Sequence, residues 1–573
     1  MVSELIFHKE LESLLRESYF CDVCTSDNCE HWAAGDESLS DNLESSVPFF
    51  VGVVGHRQLR EDEIPRLQEE FDGHIQSLLA NLKKTRIIVL TGNAEGADWI
   101  PQASKFREFF SICAVLPFAQ EEYARDFPSK ELRDAFEESL SQCEYIITSP
   151  HSPKGSVAGE LRDKAYQECA RWISDNSNLL IGFWDGLEPN GVGGTSETIS
   201  YRASDVYTKT FVHDRESDFL HIQASNGERD FKKNCNCNGH KVAGTLHQKF
   251  LRELDHLNNL VNSTESKPDT DPIKTFFNKF DAAASAFQKR SNRKNVSLYV
   301  WAFLTLQLAL IQQRTFSIFW LTSSLLALTI TLLIWWSLFR SQIKSSYETF
   351  RFVAELLRIQ IWWNDCGVTI NALNDNVEYH DIGDSTYLLI KNIYVYSQIT
   401  QSEIGQAKKQ INPANPDGVE FKWIEDQIRY LVGSETKLGA IERNRIAAKR
   451  GVLFMALSLV LAGLIQVLST ISFFFNLIET GSALDWTIKL FFPLLISIAA
   501  PVSAYAKLMG YKEVKILYEL KLRRLEVALA QLNQPGSKLD PASIVKNVGR
   551  ASLTESLRWF QIKGDREIRP FQS

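Results

Sequence analysis

Basic charge is in short supply in this chain: 62 Lys and Arg stand against 70 Asp and Glu, a net charge of −8 at pH 7. That balance excludes the electrostatic footprint of a nucleic-acid binder, so no nucleic acid polymer is expected as a partner. No secretory leader is expected either, because "MVSELIFHKELESLL" has acids near its start and lacks a long apolar core. Cysteine is sparse: of nine, three lie in "CDVCTSDNCEHW" and two in "CNC", and the others are scattered. This pattern argues against a secreted disulfide scaffold and fits a reducing cytoplasm. Cys21, Cys24, Cys29 and His31 have the types and spacing of a tetrahedral zinc set. Free thiols are the competing reading, with "CNC" at Cys235–Cys237 and His240 as rival partners. Neither a metal site nor a catalytic residue is assigned from the sequence.

Long apolar runs are missing before Val296 and then come four times, at Val296–Gln312, Phe316–Phe339, Gly451–Leu477 and Trp486–Leu508. A bilayer core takes about 20 helical residues. The second and third runs qualify easily. The first is short and carries Gln307, and the fourth contains Lys489, Pro493 and Pro501, so a buried core helix is the alternative for those two. Pairing each with its strong neighbour gives two hairpins.

Lys289, Arg290, Arg293 and Lys294 precede the first run, and Arg340 and Lys344 follow the second. Arg443, Arg445, Lys449 and Arg450 precede the third, and Lys507, Lys512 and Lys515 follow the fourth. The positive-inside rule then gives a multi-pass protein of the inner (cell) membrane with both termini cytoplasmic. Gln307 and Gln466 would face other helices or line a pore. "YETFRFVAEL" (Tyr347–Leu356) and "YKEVKILYEL" (Tyr511–Leu520) share the spacing of Tyr, Glu and Leu, as two copies of one hairpin-plus-helix unit would.

The chain accordingly divides into a helical lead with the Cys cluster and linker (1–47), an α/β domain (48–222) and a polar linker with one helix (223–275). A first transmembrane hairpin with flanking helices (276–358), a cytoplasmic helical region (359–442), a second hairpin with a long helix (443–535) and a tail (536–573) follow. In the α/β part, strands are expected at Phe49–Val54, Arg86–Leu90, Ser111–Leu116, Tyr145–Thr148, Leu179–Trp184 and Val206–Val212. Helices are expected between them at Pro65–Lys83, Asp98–Phe110, Lys130–Ser141 and Ala158–Asn176. The rhythm predicts a Rossmann-like parallel sheet with helices on both faces, joined to an all-α four-helix transmembrane region with long cytoplasmic helices. Ligands on such sheets bind beyond the carboxyl ends of the strands.

Three glycine turns follow predicted strands: Gly52-Val-Val-Gly55-His56-Arg57, Gly92-Asn93-Ala94-Glu95-Gly96-Ala97-Asp98 and Gly191-Val-Gly193-Gly194-Thr195-Ser196-Glu197. Such turns aim backbone N–H groups at an anion, and a following helix adds its dipole. Each could also be a tight turn with no ligand. Arg57 could equally be a solvated loop cation, and Asp98 a carboxylate starting a helix. The first turn lacks the third glycine of GxGxxG, which disfavours an ordinary dinucleotide site.

"GVVGHR", "LTGNAEGAD", "LPFAQEEYARDF" (Leu116–Phe127), "FWDG" and "GVGGTSE", in that order, resemble the SLOG superfamily of DNA-processing-A-like and LOG-type Rossmann-like domains. The sensor domain of melastatin-type TRP channels belongs to the same superfamily. The resemblance implies a site for a nucleotide or ADP-ribose-like ligand. Gly55, His56 and Arg57 would flank one phosphate or ribose, Gly92, Glu95 and Asp98 would close the floor, and Gly52, Asn93 and Gly96 of the same turns would belong to the ligand-binding set. Gly193, Gly194 and Thr195 would hold a second phosphate, and Glu197 would accept ribose hydroxyls. The LOG-type hydrolase motif PGGxGTxxE is altered here: no proline directly precedes the glycines, and Glu197 comes one residue early. That shift of about 100° on a helix favours binding without cleavage.

The paired hairpins beside a SLOG-like domain are similar in layout to the SLATT effectors of bacterial conflict systems. Together these resemblances imply a homo-oligomeric effector that a nucleotide second messenger, ADP-ribose-like or cyclic, switches on in antiphage defence. The open alternatives are a membrane-anchored LOG-type nucleotide phosphoribohydrolase and a constitutive channel or scaffold.

Overall fold

The computed structural model describes residues 46–564 except 151, 154, 156–157, 188–192, 203–218, 228–244, 316, 341–342, 369–371, 373–383, 405–418, 475–481, 483–493, 496, 499–500, 508 and 535–539. Six parallel strands form a Rossmann-like sheet: β1 (Phe49–Gly55), β2 (Ile87–Thr91), β3 (Phe110–Leu116), β4 (Tyr145–Thr148), β5 (Leu179–Trp184) and β6 (Phe219–Gln223), in the order β4-β3-β2-β1-β5-β6. The register pairs Val53 with Thr91 on one side of β1 and Gly55 with Phe183 on the other. Every residue of β3 and all of β1 but Gly55 is buried, as both-faces coverage of a parallel sheet requires.

On one face, α1 (Ile64–Asn81) buries Leu67, Phe71, Ile75 and Leu78, a stripe at helical spacing. The other face is covered by α3 (Glu160–Asn176), which buries Ala165, Cys169, Trp172 and Ile173, and by α4 (Thr195–Arg202), which buries Ile199. Between them in sequence lies α2 (Lys130–Ser141), capped by the Ser129 hydroxyl, which accepts from the Leu132 N–H at 3.1 Å.

Two expectations for this domain change. The helix expected over Asp98–Phe110 is instead a pair of short 3₁₀ segments, Ala97–Ala103 and Arg107–Phe109. Pro101 cannot donate the backbone hydrogen bond an α-helix would need there. The strand expected at Val206–Val212 lies outside the described residues, and the sixth strand of the sheet is Phe219–Gln223.

Helix α5 (Thr245–Asn262), in the stretch read as a polar linker, packs on the sheet: Phe250, Leu251 and Leu254 are buried, and the Phe49 and Phe250 rings lie 6.3 Å apart. Asn258 seals the contact by accepting from Val47 N–H at 2.9 Å and donating to the Val47 carbonyl at 2.9 Å.

The remaining helices are α6 (Pro272–Thr315), α7 (Ile318–Arg340), α8 (Ile343–Asp365), α9 (Asp384–Ile404), α10 (Val419–Val432), α11 (Ala440–Phe474), α12 (Tyr511–Leu532) and α13 (Pro541–Gly564). Among the described residues three helices are long and apolar enough to cross a membrane, over Pro272–Gln313, Ile318–Leu338 and Ala440–Leu468. Their large apolar side chains, Leu325, Leu326, Leu333, Phe454 and Val460 among them, are exposed. Thr305 and Thr331 meet at 3.0 Å and the Lys294 ammonium donates to Ser337 at 2.8 Å, so α6 and α7 run antiparallel. The fourth expected span, Trp486–Leu508, falls largely outside the described residues; within it, residues 501–507 are helical. Gln307 is buried and donates to the Ser497 hydroxyl, whereas Gln466 is exposed.

One apolar core runs from the sheet into the helical region, joining Phe49, Phe71 and Phe280 to Phe350, Trp363, Ile393 and Val545. Helix α9 lies under the sheet: Val395 and Ile399 pack with Phe50, Ile88 and Trp172.

Candidate functional site

The strand order reverses between β1 and β5, which makes the carboxyl ends of those strands the expected place for a ligand crevice. A cleft of about 610 Å³ opens there. Its floor is the end of β1, Gly55-His56-Arg57, with Gly92, Glu95 and Asp98 beside it and Gly193, Gly194 and Thr195 across from it. Nine of the thirteen sequence-derived candidates therefore line one cleft, contributed by three separate turns.

The other four do not line it. Gly52 sits mid-strand in β1, where an added Cβ would lie 2.9 Å from Leu180 and Ser177. Asn93 is buried in a left-handed turn (φ 54°), and its side-chain oxygen accepts from Ser139 at 2.6 Å and Gln102 at 3.2 Å. Gly96 (φ 86°) joins the second turn to the first, because a Cβ there would lie 2.2 Å from the Arg57 carbonyl oxygen. Glu197 works as a helix cap: its carboxylate accepts from the Gly193 N–H at 2.7 Å and from Gln167, and meets Arg171 at 3.4 Å. Those partners occupy the oxygens that ribose hydroxyls were expected to reach.

Only the third turn leads straight into a helix. Helix α4 starts at Thr195, so the N–H groups of its first turn have no partner within the helix and carry the positive end of its dipole. The chain after Gly55 reaches α1 only at Ile64, and Gly96 opens a 3₁₀ segment. Those two turns supply backbone and side chains but little dipole.

Arg57 is the cation of the cleft. It is half-buried, its guanidinium lies 5.2 Å from the Tyr166 ring centre, and it pairs with no carboxylate among the described residues. Burial works against its charge, but Tyr123, Tyr166 and Asp98 outweigh that and hold its pKa above the ordinary value. Tyr166 in turn donates its hydroxyl to Asp126, which Arg162 meets at 2.6 Å. Asp98 behaves oppositely. Burial pushes its carboxyl up to about 7, opposed by the Ala94 N–H, which donates to it at 3.1 Å, and by Arg57. His56 accepts from the Asp185 N–H through Nε2 at 3.1 Å, which ties the ends of β1 and β5 together.

No known family model, characterised protein or solved structure matches this chain. The reading of the cleft therefore stands on its own residues.

Several lining residues escaped sequence reasoning. Tyr123 and Asp126 come from the "LPFAQEEYARDF" stretch after β3, and Tyr166 and Cys169 come from α3. The signal for the first pair was partly available, since the segment leaves the carboxyl end of β3, the end of the parallel sheet where ligands bind, two strands from β1. Within that stretch Phe118, Tyr123 and Phe127 are buried, and Phe127 stacks on Phe136 at 4.5 Å. This aromatic block fixes the cleft wall. Among the described residues no group of three or more His, Cys, Asp or Glu is placed to hold a metal. Cys21, Cys24, Cys29 and His31 lie outside those residues, as do Cys235, Cys237 and His240.

Two helices connect the cleft to the rest of the molecule. Helix α3 lines the cleft at Tyr166 and Cys169 and ends at Asn176, beside Asp175 and Asn178. The Asn178 amide donates to Asn392 of α9 at 3.0 Å, and Asn392 donates to the Pro48 carbonyl at 2.8 Å. Helix α4 starts in the cleft and ends at Arg202, whose guanidinium donates to the carbonyls of Ser174 and, at 3.3 Å, Ser177. Lys391 of α9 lies close by; burial and Arg202 lower its pKa to about 8, against Asp175.

Proposed function

We propose that the protein is a ligand-gated membrane effector whose α/β domain binds a nucleotide-derived second messenger at the β1–β5 cleft. The observation that carries this reading is Arg57, a half-buried guanidinium without a carboxylate partner among the described residues, facing the cleft opposite the first turn of α4. That pairing suits phosphates. Glu95 and Asp98 on the floor suit hydroxyl donors, as a ribose provides. A ligand with both ends, ADP-ribose-like or cyclic, satisfies the cleft better than a bare anion does. The SLOG-like motif order and the SLATT-like layout support the same reading.

In this reading the apolar helices form two hairpins of the cell membrane, with Trp486–Leu508 as the fourth span and both termini in the cytoplasm. Four helices from one chain enclose little space, so the active form is a homo-oligomer that opens a pore or breaches the bilayer, in bacteria as a defence against phage. Ligand acts by binding one arrangement of the oligomer more tightly than another. The path from the cleft runs down α3 and α4 to Asn392 and Lys391 of α9, and from α9 through the shared core to the membrane helices.

Purified protein in liposomes, given a panel of nucleotide second messengers, tests this. Intact bound ligand and ligand-dependent leakage are expected. Arg57→Ala should weaken binding roughly 10- to 100-fold, the loss of one hydrogen bond made by a charged group. Ligand cleaved in the tube would make the protein a hydrolase, and leakage without ligand would make it a constitutive channel.

A further inference from the structure

A second cavity, of about 440 Å³, is lined by residues of α6, α8, α10, α11, α12 and α13. It is close to the apolar segments: Arg443 on its wall precedes Gly451, where the third apolar run begins, by about 12 Å of helix. Its carboxylates are already neutralised. Asp281 meets Arg351 at 3.0 Å, Glu355 meets Arg351 at 2.7 Å and also takes Arg358, and Glu555 meets Arg524 at 2.8 Å. Two cations on the wall remain without an ion pair among the described residues, Lys521 of α12 and Arg443 of α11.

Lys521 is half-buried, and burial lowers its pKa with help from Arg358, Glu355 and Glu555 acting the other way. An ammonium held in that condition gains from an added anion. Arg443 stands at the exposed rim, held by a 3.0 Å hydrogen bond to the Leu438 carbonyl and by the Tyr430 ring at 5.8 Å. Tyr430 and Tyr518 of the same wall add hydroxyl groups.

We propose that this cavity binds a phosphate group, with Lys521 and Arg443 as its cationic ligands and the Tyr430 hydroxyl, itself hydrogen-bonded by Tyr518, as a further donor. A guanidinium and an ammonium on different helices fit a tetrahedral, multiply charged oxyanion better than a lone carboxylate. The phosphate ties α11, which leads into the third apolar run, to α12, which follows the fourth. It therefore sets the geometry of the helices on either side of the second hairpin. The phosphate comes from a free small molecule or from a lipid headgroup, and the site does not depend on the cleft at Arg57.

The test is hydrogen exchange on the full chain in phosphatidylcholine nanodiscs, with inorganic pyrophosphate added, and in nanodiscs containing phosphatidic acid. Protection of α12 around Lys521 with pyrophosphate assigns a free phosphate, and protection with phosphatidic acid alone assigns a headgroup. Lys521→Met and Arg443→Gln should each weaken the effect at least tenfold, while β1 amides exchange as in the wild type. Arg57→Ala should leave it unchanged, which separates this site from the cleft. Absence of α12 protection from both sources, or wild-type binding by Arg443→Gln, overturns the proposal. Arg443→Gln decides alone if Lys521→Met disturbs β1.

Discussion

Replacing Asp98 with Asn should make the cleft insensitive to pH and firmer above neutrality. Asp98 is buried beneath the Gly92 turn, and its carboxyl is pushed from the ordinary 3.8 to about 7, chiefly by burial. The folded state therefore binds a proton more tightly than the unfolded state. The group's contribution is fully present below pH 4 and is lost as pH rises toward 7. The gap between 3.8 and about 7, at about 1.4 kcal/mol for each pH unit, amounts to roughly 4 kcal/mol between pH 4 and pH 8. An Asn side chain keeps an oxygen for the Ala94 N–H, 3.1 Å away, and carries no charge to bury.

Hydrogen exchange of the β1 and β2 amides, corrected for intrinsic rates, reads this locally in the full chain. The wild type should open more easily at pH 8 than at pH 5, by a few kcal/mol. Asp98→Asn should show little change between the two and should exceed the wild type at pH 8. A variant that keeps the wild-type slope would refute the assignment of the pH dependence to Asp98, and with it the picture of a dry cleft floor.

Two further perturbations separate local geometry from coupling. Gly193 has φ 80° and an added Cβ would stand 2.9 Å from the Gln167 backbone nitrogen, so Gly193→Ala should destabilise the start of α4 by about 1–3 kcal/mol, read as faster exchange in that helix. Asn392→Leu removes the donor to the Pro48 carbonyl and the partner of the Asn178 amide, a loss of about 1–3 kcal/mol where α9 meets the sheet. In the proposed effector it should leave ligand binding in the cleft within a few-fold of the wild type while reducing ligand-triggered leakage. Equal loss of both would show that Asn392 supports the fold of the whole domain and carries no signal of its own.

What the sequence made readable follows from how each element is solvated. Strands β1, β2, β3 and β5 are buried on both faces or nearly so and appear as apolar runs, while edge strand β4 buries alternate residues and still shows as YIIT. Strand β6 is an edge strand whose FLHIQ leaves His221 and Gln223 half-exposed, so it looks like the polar sequence around it. The glycine turns could be ordered along the chain, but not their division of labour. Gly55 and Gly193 reach the cleft, whereas Gly52 packs inside the sheet and Gly96 locks one turn onto another.

Glu197 shows the limit most directly. Its place after a glycine pair suggested a ligand contact, but a carboxylate at the third position of a helix finds the preceding backbone N–H first. Periodicity in α9 likewise marks Val395 and Ile399 as one apolar face without naming what covers it. That the cover is the underside of the parallel sheet is a tertiary fact. It matters because it puts the only hydrogen-bonded asparagine pair described between the sheet and the helical region directly below the two helices that line the cleft. A ligand that shifts α3 or α4 must either strain that buried pair or carry α9 along with it. An unmade buried hydrogen bond is costly enough, at about 1–3 kcal/mol, that movement of α9 is the favoured outcome.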